Sequence, residues 1–265
     1  MISWNGAALP VKPSQSGSRI LAALERIARQ QPIGVSDLAR SLEDNLPATQ
    51  RALATLAADG WIKPAPGTPT RWVLTSHIHS VAQYARGNND LRRRARDALE
   101  DLRRQTGESV LLNVPDDGKF VVVEVLESPH YLRTTAPIGL IISPKWSATG
   151  RALLPFMTLE MQQRYIGHPA DEAMRADFAE TAARGYVISK GDVIRGSTNI
   201  AAPIFEAGEP IAAVLISAPD DRMADSEYEA LGALVASTAR RLSHGAGTLY
   251  LPFSRSAARG VGGRV

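Results

Sequence analysis

The side chains that could carry out chemistry in this 265-residue chain are few and widely spaced. The sequence contains no cysteine, which excludes a disulfide scaffold, a thiolate nucleophile, an iron–sulfur cluster and cysteine-rich zinc sites. It also lacks the short motifs of serine hydrolases, phosphate-binding loops and zinc peptidases. The aspartate pairs at 116–117 and 220–221 lie in turn sequences, where aspartate commonly bonds the local backbone. We therefore expect no enzyme activity and no cofactor.

The histidines do not form a metal-binding pattern. His77 and His79 lie two residues apart without a further ligand nearby, and the other three stand alone. Such isolated histidines are more often incidental than metal ligands. We expect no metal site.

Two groups of polar residues could instead bind a small molecule. In the run WSATGR (146–151), the hydroxyls of Ser147 and Thr149 and the first free amides of the helix that follows could hold a carboxylate. An ordinary helix N-cap is the simpler interpretation of the same residues, and local sequence favours it. A second group precedes a predicted strand, as turn residues or as part of a ligand site: Asp192, Ser197, Thr198 and Asn199.

Charge is unevenly distributed along the chain. The formal net charge is +3, but residues 1–105 hold 15 Lys and Arg against 9 Asp and Glu, whereas residues 106–265 hold 15 against 18. A basic first part suits a domain that meets a polyanion, although a solvated surface would look the same. There is no run as apolar as a membrane span and no secretion signal, so we expect a cytoplasmic protein.

Residues 16–76 have the pattern of a winged helix-turn-helix domain. One amphipathic helix begins near Ser18, a short one is capped by Ser36 or Asp37, and a third covers the run LPATQRALATLAADGWI. Two strand-like pieces then flank a turn rich in proline and glycine. In this arrangement the third helix enters the major groove and the hairpin lies on the DNA backbone. A plain three-helix bundle remains an alternative.

The remaining chain is predicted to be a linker helix followed by an α+β domain. Residues 77–105 are helical, with an apolar stripe of Leu91, Ala95, Leu99 and Leu102 and an arginine run that can face water, phosphate or a partner. Residues 106–244 alternate strands, helices, strands and a closing helix, which indicates an antiparallel sheet flanked by helices. Residues 1–15 are predicted to be a mobile arm and residues 245–265 a disordered tail.

Six motifs in order resemble the IclR family of bacterial transcriptional regulators over residues 16–244: SDLARSL, QRALATLAADGWI, TGESVLLNVPDDGKFVVVEVLESP, SPKWSATGRALL, RGYVISKGDVIRGSTNIAAPIF and IAAVLISAPDDR. The resemblance implies a winged helix-turn-helix, a linker helix that helps dimerisation and a GAF-like effector-binding domain. Family members are typically homodimers or homotetramers that repress or activate catabolic genes. Their effectors are often short or aromatic carboxylic acids.

The resemblance also assigns site residues. The family's recognition helix aligns with residues 47–56, where Pro47 and Ala48 replace the usual Ser-Thr pair, so operator preference does not carry over. Gln50 and Arg51 are the expected base-reading residues. The remaining expected DNA contacts are Ala48, Thr49, Thr55, Lys63 and Arg71.

The expected effector site combines three parts of the second domain. Its loop aligns with Ala148, Thr149 and Gly150, preceded by Trp146, which could form an aromatic wall or fill the core. The expected residues from the sheet and its turns are Asp192, Asn199 and Ser217. Asp192 stands where glutamate is usual in the family and Asn199 where some relatives carry cysteine, so the effector does not carry over.

Two functions follow from these patterns. The first is a regulator that binds operator DNA as a homo-oligomer and responds to a small organic acid. The alternative is a GAF-like sensor or enzyme whose helical domain makes protein contacts. The sequence leaves open the choice between repressor and activator, dimer and tetramer, and the identities of effector and operator.

Overall fold

A computed structural model of the chain describes residues 3–4, 7–8, 12–83, 86–192 and 194–243. The chain divides into two units, Met1–Arg86 and Gly87–Val265. The predicted disordered tail and seven of the fifteen residues of the predicted mobile arm lie outside the described residues. Within the arm, two short antiparallel strands are described, β1 (Ser3–Trp4) and β2 (Ala7–Ala8).

The first unit is built on three helices, as the sequence predicts. They are α1 (Gln15–Gln30), α2 (Val35–Ser41) and α3 (Leu46–Ala58). Their shared core contains Ala23 and Ile27 of α1, Leu38 of α2 and Leu53 and Leu56 of α3. The predicted cap of α2 is wrong: Gly34 is the N-cap residue, and Ser36 and Asp37 lie inside the helix.

A three-stranded sheet completes the helical core. The predicted hairpin is formed by β4 (Ile62–Pro64) and β5 (Arg71–Leu74), and β3 (Ile33–Gly34) adds a third strand against β5. The sequence analysis treated residues 31–34 only as a helix break, because a two-residue strand has no detectable alternation. A short helix, α4 (His77–Gln83), ends the unit.

The second unit contains a six-stranded antiparallel sheet in the order β8-β7-β6-β11-β10-β9. Its strands are β6 (Ser109–Asp116), β7 (Lys119–Leu126), β8 (Ile141–Ile142), β9 (Val187–Lys190), β10 (Ser197–Glu206) and β11 (Glu209–Pro219). Asp117 and Gly118 both have positive φ and form the tight turn between β6 and β7. The predicted strand at 138–142 shortens to its last two residues.

Helices cover both faces of this sheet. One face carries α5 (Arg86–Thr106) and α9 (Tyr228–Leu242), and the other carries α6 (Ala148–Leu153), α7 (Leu159–Ile166) and α8 (Glu172–Arg184). Short 3₁₀ turns occupy Leu154–Phe156, Asp220–Arg222 and Asp225–Glu227. The α+β prediction is therefore confirmed.

Helix α5 buries the apolar stripe that the sequence predicts. Leu91, Ala95, Leu99 and Leu102 are at most 4% exposed and pack against the sheet. Two members of the arginine run face carboxylates of the same unit: Arg92 donates to Glu124 at 2.8 Å and Arg94 to Glu206 at 3.2 Å. These two side chains therefore pair with carboxylates of the second unit and keep part of their surface exposed.

Candidate functional site

Helix α3 presents a narrow polar face on the first unit. Its start is fixed by Asn45, whose Oδ1 accepts a hydrogen bond from the Ala48 amide at 2.9 Å, and Pro47 suits the first turn. Ala52, Leu53 and Leu56 point into the core, so the helix cannot rotate without exposing them. The exposed polar residues of α3 are Gln50, Arg51 and Thr55, and its other exposed residues are Leu46, Pro47, Ala54 and Ala58.

Two expected DNA contacts lie in the core. Ala48 is 3% exposed, because the first turn of α3 packs towards α1. Thr49 is fully buried, and its hydroxyl donates to the backbone carbonyl of Asn45 at 3.1 Å. Neither side chain offers a surface to DNA in this structure, whereas those of Gln50, Arg51 and Thr55 do.

The polar face of α3 continues into a groove against α1. Arg51 and Thr55 line it together with Ser16 and Arg19, which the sequence analysis did not single out. Arg19 forms an ion pair with Asp44, the residue before the cap of α3. Only the packing of α1 on α3 brings these residues together, so no local pattern could have shown them.

The small sheet adds two exposed cations. Lys63 lies on β4, in register with Val73, and Arg71 lies at the start of β5. Arg71 donates to the carbonyl of Pro32 at 3.2 Å, which ties the hairpin to the segment between α1 and α2. Lys63 and Arg71 therefore remain available as phosphate contacts on the hairpin.

In the second unit, the loop before α6 has a constrained backbone. Ser147 caps α6, because its Oγ accepts a hydrogen bond from the Gly150 amide at 3.1 Å. Gly150 has no room for a side chain, since a Cβ would lie 1.9 Å from the Pro144 carbonyl oxygen. Ala148, Thr149 and Gly150 are all buried. The simpler interpretation of Ser147, an N-cap, is what the structure shows.

Trp146 lies beside this loop and does not fill the core. Its backbone adopts a positive φ of 67°, and its side chain is among the exposed apolar ones at 43% exposure. The ring centroid is 5.6 Å from the ammonium nitrogen of Lys145. An exposed ring beside a helix start can form a wall for a ligand.

Asn199 and Ser217 are brought together by the sheet. They are directly opposite each other on β10 and β11. The same row includes Ser189 on β9 and Ser109 on β6, which the sequence analysis missed. Residues opposite each other in a sheet project from the same face, here the face that α6 covers. Cross-strand register is set by pairing over long sequence distances, so no local motif indicates this row.

Asp192 contacts this row through Ser189, and Arg151 bonds the same carboxylate. The Ser189 hydroxyl donates to Asp192 Oδ2 at 2.8 Å, and Arg151 Nη1 lies 3.2 Å from the same oxygen. Arg151 also pairs with Asp177 and donates to the Ile188 carbonyl at 2.9 Å. Burial disfavours its charged form, but hydrogen bonds and charge from Asp177 outweigh burial and raise the pKa of Arg151. The cluster links α6, α8 and β9.

Thr149 has a partner that the sequence analysis also missed. Its Oγ1 accepts a hydrogen bond at 2.7 Å from Nδ2 of Asn113, a residue in the middle of β6. Thr149 and Asn113 both lie on the α6 face of the sheet, away from the Asn199 row.

Further properties concern the part of the chain that the structure describes. It holds no cluster of three or more histidine and carboxylate side chains placed to bind a metal. Among its helices, none combines the length and the apolar character needed to cross a bilayer.

Known proteins resemble this chain over most of its length. The C-terminal model of the bacterial transcriptional regulator IclR matches residues 83–244. The transcriptional repressor IclR of Escherichia coli (strain K12) is 27% identical over 244 residues, 86% of this chain and 89% of the repressor. The HTH-type transcriptional regulator BhcR of Paracoccus denitrificans (strain Pd 1222) is 30% identical over 243 residues, 86% of this chain and 85% of BhcR.

A solved structure supports the fold. An IclR homolog from Microbacterium hydrocarbonoxydans, crystallised with 4-hydroxybenzoate, matches with a TM-score of 0.73 at 20% identity, over 85% of this chain and 96% of that one. The predicted GAF-like architecture of the second unit agrees with this match. Because the family model alone covers more than half of the sequence, the chain belongs to the IclR family of bacterial transcriptional regulators, which are DNA-binding proteins.

Proposed function

We propose that residues 16–76 bind operator DNA, with Gln50 and Arg51 reading bases and Thr55, Lys63 and Arg71 contacting the backbone. The observation that carries this assignment is the exposed face of α3, which is held in place by a fully packed opposite face. Guanidinium and amide groups on such a face have the donors and acceptors that major-groove base edges require. Ala48 and Thr49 are left out of this set because they are buried.

The second part of the proposal concerns the effector. A small carboxylic acid binds on the α6 face of the second unit, near Ala148, Thr149, Gly150, Asp192, Asn199 and Ser217, with Trp146 beside it. This is supported by the polar row on an otherwise apolar face and by the acid bound to the Microbacterium homolog. The acid changes operator affinity and thereby the expression of catabolic genes in the cytoplasm.

The third part is a homo-oligomer, a dimer or tetramer, that places two recognition helices about one DNA turn apart. Residues 77–105 link the DNA-binding domain to the effector-binding domain, residues 106–244. Effector binding moves this linker and changes the spacing of the recognition helices.

A DNA titration tests the first part. Purified full-length protein is titrated against labelled DNA from upstream of its own gene, at two salt concentrations and with excess random duplex. We expect binding that survives the competitor and weakens steeply with salt, because phosphate contacts release counterions. The absence of DNA binding at low salt, with any upstream fragment, would favour a sensor whose helical unit makes protein contacts.

Substitution of Arg51 adds a residue-level test. Arg51→Ala should weaken operator binding by about 1 to 3 kcal/mol and relax specificity at one base pair. Arg29→Ala is the matched control, because Arg29 is an exposed arginine in the last turn of α1, outside the α3 face. Equal effects of the two substitutions would remove Arg51 from the base-reading set.

A further inference from the structure

The central strand of the small sheet, β5, forms hydrogen bonds to both of its neighbours. It lies between β4 on one side and the two-residue strand β3 on the other. The Thr75 amide donates to the Trp61 carbonyl at 2.9 Å, and the Arg71 carbonyl accepts from the Ala65 amide at 2.7 Å. Residues 71 and 75 therefore bond towards β4. Because the bonding direction alternates along an antiparallel strand, the Leu74 amide is directed towards β3.

Strand β3 is too short to bond this amide with its backbone. The pairing of Ile33 with Trp72 places residue 31 opposite Leu74, two residues further along. The backbone N–H of Gln31, however, donates to the Ile27 carbonyl at 2.9 Å and ends α1 as its C-cap. The side-chain Oε1 of Gln31 accepts the hydrogen bond from the Leu74 amide instead, at 2.8 Å. The Gln31 side chain therefore takes the place of a strand residue and joins the end of α1 to β5.

This hydrogen bond lies at the base of the hairpin that carries two proposed phosphate contacts. Lys63 on β4 is in register with Val73, the residue before Leu74. Arg71 lies three residues before Leu74, or about 10 Å along the strand. A two-residue strand supplies few backbone hydrogen bonds, so the loss of one more at the base gives the hairpin freedom to tilt. A tilt of the hairpin moves both cations relative to α3.

A second hydrogen bond between the hairpin and this segment uses a side chain that DNA would engage. Arg71 Nη1 donates to the Pro32 carbonyl at 3.2 Å. A guanidinium group that turns its donors towards a phosphate weakens such a bond. The bond of Gln31 uses a side-chain carbonyl oxygen, which only accepts and for which a phosphate has no donor. The bond from Leu74 to Gln31 is therefore compatible with bound DNA.

We infer that Gln31 is a positioning residue for DNA binding: through the Leu74 amide it holds the hairpin on the end of α1 and keeps Lys63 and Arg71 at the DNA backbone. This inference rests on the proposed DNA-binding function. Gln31 acts without touching DNA, so its loss removes phosphate contacts of the hairpin and leaves base reading by α3 intact.

Substitution of Gln31 by methionine tests the inference, because methionine has a similar length but no strong acceptor. The full-length protein is titrated against the labelled upstream DNA at several salt concentrations. We expect Gln31→Met to bind about 3- to 10-fold more weakly at low salt, with a salt slope smaller by about one phosphate contact. Gln30→Met is the matched control, because Gln30 is an exposed glutamine at the last position of α1. It should bind like the unaltered protein.

A double substitution separates positioning from a general loss of stability. Arg71→Ala should weaken DNA binding about 5-fold in the otherwise unaltered chain, but less than about 2-fold in Gln31→Met, where Arg71 is no longer held at the phosphate. Thr55→Ala, on the exposed face of α3, should have the same effect in both backgrounds. Thermal melting verifies that each variant is folded.

The possible outcomes distinguish the inference from the proposed function. Equal affinities and salt slopes of Gln31→Met and Gln30→Met, or an effect of Arg71→Ala that is the same in both backgrounds, would overturn the inference and leave the proposed function standing. An Arg71→Ala variant that binds like the unaltered protein would overturn the inference together with the hairpin part of the proposed function. Absence of DNA binding by the unaltered protein would overturn both.

Discussion

At the scale of single residues, Gly150 shows how the loop before α6 depends on the absence of a side chain. A Cβ at this position would lie 1.9 Å from the Pro144 carbonyl oxygen, and it could not be accommodated without moving the backbone. The same turn carries Trp146 at positive φ and the Ser147 cap. The loop geometry on which Ala148, Thr149 and the proposed effector site depend is therefore held by steric contact.

We expect Gly150→Ala to destabilise the second unit by about 3 kcal/mol or more, because the added methyl group overpacks a rigid turn. Gly167→Ala is the control: its Cβ would meet no atom within 4 Å, and the positive φ alone should cost about 1 to 2 kcal/mol. Hydrogen exchange of the β10 and β11 amides in increasing urea measures both values. Equal losses in the two variants would show that the Pro144 contact relaxes easily.

The predictions for single residues succeed where a residue type favours one local structure. Arg51 is exposed on α3 as expected, whereas Asn45, whose side chain caps α3, was not singled out. The sequence did not reveal the hydrogen bond of Asn113, because its partner Thr149 lies 36 residues away. Nothing near this asparagine in the sequence indicates its partner, which lies on the helix that packs against the strand.

At the scale of elements, an ion pair joins the start of β6 to the turn after β11. Arg222 donates two hydrogen bonds of 2.7 Å to Glu108, and a third bond of 2.6 Å to the carbonyl of Leu132. The Glu108 side chain is only 8% exposed. The paired geometry raises the pKa of Arg222 through the hydrogen bonds with Glu108.

Arg222→Met should destabilise the second unit by about 3 kcal/mol, because it leaves the buried carboxylate without its partner. The exposed pair of Arg133 and Glu127 provides the comparison, and Arg133→Met should change stability by less than about 1 kcal/mol. Urea denaturation followed by circular dichroism measures the difference. A loss in Arg222→Met no larger than that in Arg133→Met would show that the β6 junction does not depend on the ion pair.

Elements with strong periodicity or caps were predictable, and those created by pairing were not. The stripe of α5 and the capped starts of α7 and α8 follow from local sequence. Strand β3 exists only because β5 offers it a partner, and β8 shortens because Gly139 has a positive φ before it. The polar row across β6, β11, β10 and β9 likewise requires register, which hydrophobic alternation alone does not fix among six strands.

At the scale of the whole molecule, the proposed function separates two binding activities that must communicate. The residues proposed to contact DNA lie in the unit Met1–Arg86, and those proposed to contact the effector lie in the unit Gly87–Val265. Helix α4 ends at Gln83 and helix α5 begins at Arg86, so the covalent connection between the units is short. Two sites are coupled when both shift the conformational equilibrium of the same structural element. The element proposed here is the linker.

Loosening this connection should uncouple the two activities. We expect that four residues, Gly-Ser-Gly-Gly, inserted between Gln83 and Arg86 will leave effector affinity unchanged and preserve most of the operator affinity. The change in operator affinity that effector causes should fall to near zero, because a flexible insert cannot transmit a displacement. The same insert after Gly247, in the C-terminal segment, controls for the added length. Operator titrations with and without the acid that binds most tightly provide the readout, and an effector response that persists in the linker variant would place the coupling elsewhere.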